Sequence, residues 1–148
     1  MGGLIGARGV AAFTLTLALA GCSAAAPPAA PMLVTAWYVP LDRAERVEGD
    51  FVVLDDGCVG IRKPGETGRV VVWQAASRID EHDGRQRIDL LNGSVTIGEA
   101  AIDAWGVMVE AGAISELPAS DVAGIECLAD PDAEVVVLTS LEDFLFQQ

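Results

Sequence analysis

The side chains that could do chemistry are one histidine, three cysteines, several carboxylates and one aspartate-rich turn. His82 sits in Glu81-His82-Asp83-Gly84. Asp-Gly is turn chemistry, so the ring belongs at an exposed loop tip, whereas a Ser-His-Asp relay needs its histidine held against a nucleophile in a shielded site. Glycoside hydrolysis needs two carboxyl groups about 5 to 10 Å apart across a cleft. Asp89, Glu99, Asp103 and Glu110 could supply them, but no spacing selects a pair. Asp130-Pro131-Asp132-Ala133-Glu134 places oxygen ligands at alternate positions, as a weak calcium site could. It lacks the glycine and the later bidentate glutamate of a calcium loop, and reads as a proline turn. With one histidine there is no zinc set. No phosphate-cradling Gly-Lys-Ser/Thr loop and no dinucleotide fingerprint occurs. No catalytic residue, metal ligand or cofactor is assigned.

The cysteines are more informative, and the first of them has a distinctive context. Arg8 is the only charge ahead of an apolar run from Val10 to Ala20, which is followed by Gly21 and Cys22. Eleven helical residues span about 17 Å, roughly half of a bilayer's hydrocarbon core. The run is therefore the apolar region of a signal peptide and not a membrane-spanning helix. Leu19-Ala20-Gly21-Cys22 resembles the lipobox of bacterial lipoproteins: Leu, a small residue, Gly or Ala, then Cys. The resemblance implies that Cys22 receives a thioether-linked diacylglycerol and that signal peptidase II cleaves between Gly21 and Cys22. Two or three acyl chains, at about 0.8 kcal/mol per buried methylene, make an effectively permanent anchor. The alternative is an ordinary secretory signal with a chance cysteine, or an uncleaved anchor.

Lipidation of Cys22 leaves Cys58 and Cys127 as an even pair outside the cytoplasm, where disulfides persist. A bridge between them would close a loop of about seventy residues and stabilise the domain by about 4 kcal/mol on the chain-entropy model. Two buried thiols are the alternative; a redox pair is disfavoured because there is no Cys-x-x-Cys.

Charge and composition exclude whole classes. Formal net charge is -13 in 148 residues, and removal of residues 1–21 with Arg8 makes it -14, from 8 basic and 22 acidic residues. From Ile88 to Gln148 there are twelve acidic side chains and no Lys or Arg. A nucleic-acid binder needs clustered cations, so nucleic acid is excluded as a partner. The acidic half reads as a solvated surface, with a basic surface or a cation as its plausible partner. The 51% hydrophobic content rules out a disordered acidic tail.

These sites must be positioned by elements that the pattern also predicts. Residues 22–32 are rich in Ala and Pro, without charge, and favour polyproline II. The ten residues from Cys22 to Pro31 would hold a domain about 30 Å from the lipid. Residues 33–46 form an extended lead-in, with Leu33 to Val39 β-prone before Pro40 interrupts, and residues 47–148 form a β domain. Within it, Asp56-Gly57, Asp83-Gly84 and Asn92-Gly93 separate short β-prone runs, the signature of a hairpin meander. Phe51 to Asp55, Cys58 to Arg62, Arg69 to Gln74, Ile79 to Glu81, Gln86 to Leu90, Ser94 to Ile97, Ala100 to Trp105, Gly106 to Ala111 and Glu134 to Thr139 read as strands. Val70 to Trp73 is apolar throughout, which places that strand under cover on both sides or inside a closed curve. Ser115 to Gly124 reads as a loop around Pro118. Ser140 with Asp143, and Leu141, Phe144 and Leu145 at helical spacing, predict a short C-terminal helical turn. The fold class is all-β: a small antiparallel barrel or sandwich of short strands.

The layout as a whole resembles small lipoproteins of high-GC Gram-positive bacteria, through the lipobox, the tether, Gly57-Cys58-Val59, Val71-Val72-Trp73 and Cys127. That resemblance implies a lipid-anchored position on the extracytoplasmic face of the cell membrane and carries no activity. Ser23 would permit outer-membrane sorting in a two-membrane cell. The expected function is a non-enzymatic binding or structural module of the cell envelope, with an envelope protein or a cation as partner. The alternative is an envelope-glycan hydrolase or transferase using a carboxylate pair, and a third reading is an inhibitor or assembly factor.

Overall fold

A computed structural model describes residues 30–37, 43–91, 93–101 and 104–141, of which residues 140 and 141 are described in their backbone alone. The strands are β1 (Val34–Ala36), β2 (Glu45–Val47), β3 (Asp50–Val53), β4 (Val59–Arg62), β5 (Arg69–Gln74), β6 (Arg78–His82), β7 (Arg85–Leu90), β8 (Gly93–Thr96), β9 (Ala104–Glu110), β10 (Val122–Ala123) and β11 (Glu134–Leu141). One short helix, α1 (Ala111–Ser115), and a 3-10 turn at Ile125–Leu128 complete the order.

The protein is all-β and sandwich-like. An eight-stranded sheet runs β10-β1-β5-β11-β9-β2 with β4 and β3 attached beside β5, and a separate three-stranded sheet runs β6-β7-β8. Neither sheet closes, so of the two architectures predicted the sandwich is present and the barrel is not. The large sheet is mixed: β5 pairs in parallel with β1 and with β11, while the remaining ladders are antiparallel. Parallel ladders need cover on both faces, and β5 has it. Val70 and Val72 point into one core with Cys58, Ala111, Ile114 and Leu128. Val71 and Trp73 point into a second core with Phe51, Ile88, Val136 and Leu138. This is the physical origin of the unbroken apolar run.

The second core joins the two sheets. Trp73, 1% exposed, packs its ring 5.2 Å from that of Phe51 at an interplanar angle of 49°, a tilted aromatic pair. Its Nε1 has no hydrogen-bond partner among the described residues. The first core is roofed by α1 and the 3-10 turn, which bring in Ala111, Ile114, Cys127 and Leu128.

Turn chemistry sets the hairpins, with one correction. Asp83 (φ 51°) and Gly84 (φ 73°) both take positive φ between β6 and β7, as a two-residue hairpin turn requires. At the β3–β4 turn only Gly57 does, with φ 85°. There Asp55 and Asp56 turn the chain, Gly57 N–H donates to the Leu54 carbonyl at 2.9 Å, and the Asp56 carboxylate accepts the Cys58 N–H at 3.0 Å. Asn92 lies outside the described residues.

Other boundaries moved. β1 lies inside the sheet between β10 and β5, and Trp37, just past it, is 73% exposed. The strand predicted over Ala100 to Trp105 starts at Ala104 and merges with the next into β9, while Ala100 makes an isolated bridge to Asp50. Ala111–Ser115, where a strand was predicted to end and a loop to begin, is a single helical turn. Ser140 and Leu141 continue β11 opposite Trp105 and Ala104 instead of starting a helix. The remainder of that C-terminal prediction lies outside the described residues.

Candidate functional site

Cys22, the predicted lipid site, lies outside the described residues. The other two cysteines meet: the Cys58 and Cys127 sulfurs are 2.06 Å apart, at disulfide distance, with Cα atoms 5.8 Å apart and a sequence separation of 69. Cys58 closes the β3–β4 turn and Cys127 sits in the 3-10 turn. Both are buried in the first core. The approach is set by Gly124, whose φ of 73° starts the 3-10 turn and whose missing side chain lets the chain lie against the Leu33 carbonyl.

The other sequence candidates do not converge. His82 ends β6 with its side chain 64% exposed, and its Nε2 stands 3.4 Å from the neighbouring Asp83 carboxylate. Asp89 is on β7 opposite Arg78 and Ser94. Glu110 ends β9 opposite Glu134. Glu99 pairs with Arg85 at 3.3 Å on the rim of a groove of about 670 Å³ that Glu81 also lines. Asp103 lies outside the described residues. In the 130–134 segment the Asp130 carboxylate accepts the Asp132 N–H at 3.1 Å, which turns the chain as the proline reading predicts. Among the described residues no three His, Cys, Asp or Glu side chains are grouped as metal ligands.

A second groove, of about 420 Å³, was not foreseen. Only Glu48 and Gly49 separate β2 from β3, although β2 pairs with β9 and β3 pairs with β4. A link that short reaches only about 10 Å, so the sheet curls until β2 and β3 lie close, and a trough lies beside that corner. Its apolar lining is Val47, Ile61, Val107, Met108 and Val136. Gly106 helps to open it: a Cβ there would stand 2.8 Å from the Val137 carbonyl oxygen and 2.9 Å from a Val136 methyl.

Four cations surround this trough: Arg43, Arg46, Lys63 and Arg69, with Glu45 and Glu48 between them. Lys63, Pro64, Gly65 and Glu66 form a turn in which Gly65 has φ 80° and Glu66 N–H donates to the Lys63 carbonyl at 3.1 Å. Pro then Gly is what such a type II turn asks for, and it folds Lys63 and Arg69 back to one rim. Lys63 Nζ lies 3.8 Å from Glu48, and Arg69 lies 3.6 Å from Glu134 and 4.0 Å from Glu66. These side chains are 38 to 67% exposed, and ion pairs of that kind contribute about 0 to 1 kcal/mol. They can exchange partners readily.

Sequence reading missed this site because the lining comes from five separate stretches joined by strand register. The one available signal was the bunching of five of the chain's nine cations, Arg43, Arg46, Arg62, Lys63 and Arg69, ahead of a half with none. No protein-family model, no curated protein and no solved structure matches the chain.

Proposed function

We propose that the chain is a lipoprotein anchored through Cys22 to the extracytoplasmic face of a cell membrane, presenting a β sandwich as a non-enzymatic binding module. The observation that carries this reading is the division of the cysteines. Cys58 and Cys127 sit at disulfide distance in the core, a pairing suited to an oxidising compartment. The cysteine left over is the one in Leu19-Ala20-Gly21-Cys22. The short apolar run before it and the Ala/Pro stretch after it fit a signal peptide and a tether. No helix among the described residues is long and apolar enough to cross a membrane. The glycan-hydrolase alternative lacks comparable support: of Asp89, Glu99 and Glu110 only Glu99 lines a described groove, and there it is paired with Arg85.

Metabolic labelling with a palmitate analogue tests the anchor. The wild-type chain takes up the label and Cys22→Ala does not; a Cys22→Ala chain that still carries the label overturns the proposal.

A further inference from the structure

Resting on the reading of the domain as a binding module, we infer that the trough between β2 and the β4–β5 turn binds a small organic anion carrying an apolar arm. Three observations converge on that ligand. The first is charge. Eight basic residues follow Arg8 in the whole chain, and four of them line this one trough against two carboxylates, Glu45 and Glu48. The half of the chain after Arg87 holds twelve acidic side chains. It sends only Gly106, Val107, Met108 and Val136 into the lining, none of them charged.

The second observation is the floor. Ile61 is 5% and Val136 1% exposed, so the bottom is already dry, while Met108 is 44% exposed and offers an adaptable apolar surface beside them. A polarisable, unbranched methionine suits ligand contact. The third is the state of the cations. Among the described residues, Lys63 and Arg69 are held only by solvent-exposed carboxylates at 3.6 to 4.0 Å. An anion entering the trough exchanges one weak pair for a better desolvated one, and an arginine fork adds geometric selectivity.

The ligand is a diffusible one. About 420 Å³ is the scale of a small-molecule site, and a domain of strongly negative net charge is repelled by an extended anionic bilayer.

The test is a methyl-detected NMR titration of the full chain in phosphatidylcholine nanodiscs, which proceeds identically if the chain proves not to be acylated and stays in solution. Butyl phosphate is predicted to shift the Ile61 and Met108 methyl resonances saturably, with a dissociation constant below about 1 mM. Inorganic phosphate binds at least tenfold more weakly for want of the arm, and butylammonium leaves both signals in place. Arg43→Glu combined with Lys63→Glu weakens butyl phosphate at least tenfold while the Ile88 methyl signal, in the core, stays put. If that pair of changes disturbs Ile88, the milder Arg43→Gln carries the same comparison. The inference is overturned by the absence of a saturable shift, by an equal response to butylammonium, or by charge variants that bind as the wild type does. It is overturned equally if discs of phosphatidylglycerol abolish butyl phosphate binding, since the occupant is then a bilayer lipid.

Discussion

Gly124 and Gly57 share a backbone conformation and differ in their surroundings. Both have positive φ, 73° and 85°, but a Cβ on Gly57 meets nothing within 4 Å, whereas one on Gly124 collides with the Leu33 carbonyl. Gly57→Ala therefore costs only the conformational penalty, about 1 kcal/mol. Gly124→Ala adds a backbone clash next to the turn that carries Cys127, and the loss rises to about 3 kcal/mol. Urea denaturation of the two variants checks the difference; equal losses would mean that Gly124 is not pressed against β1. At this scale the sequence was readable wherever one residue's own chemistry decided the outcome. Asp83-Gly84 adopts the hairpin conformation that its dipeptide asks for, and His82 lies exposed beside it. Asp56-Gly57 was half right, because the preceding Asp55 took a turn position and left positive φ to the glycine alone.

Among the elements, the three-stranded sheet is the most separable. Ile88 is its only fully buried side chain among the described residues, and it docks into the core around Trp73 and Phe51 while Ile79, Leu90 and Val95 are only partly covered. Ile88→Ala is expected to cost about 3 kcal/mol, and amide exchange should accelerate in β6, β7 and β8 well ahead of β5 and β11. Uniform acceleration across both sheets would show that the small sheet is not a separate cooperative unit. β5 itself was legible to the residue, since an apolar Arg69–Gln74 run announces burial on both faces. Its partners were not. Nothing local in Val34-Thr35-Ala36 says that it lies in parallel beside Val72-Trp73-Gln74; long-range pairing is settled by which surfaces remain to be covered. Ala111–Ser115 escaped for the opposite reason, because five residues are too few to show a helical period. The cation-lined trough combines both difficulties, with its residues assembled by register from stretches that each look ordinary.

At the scale of the molecule, the Cys58–Cys127 link ties the β3–β4 hairpin to the segment that roofs the first core. With 69 residues of separation, its removal in a Cys58→Ala, Cys127→Ala double variant is predicted to lower the unfolding free energy by about 4 kcal/mol. A thiol assay of the unreduced, denatured chain that found both cysteines free would contradict the link. The charge acquires a layout at this scale too. The acidic excess lies in the half after Arg87, while four of the other half's cations line one trough. Under the proposed anchor, a domain so arranged would sample small solutes near a membrane without adhering to it. That picture depends on the chain being anchored. Intact-mass and peptide mass spectrometry of the chain recovered from membranes tests it most directly. The account predicts a mature protein beginning at Cys22 with a diacylglyceryl thioether on its sulfur, and a chain that retains residues 1–21 with an unmodified Cys22 would contradict it.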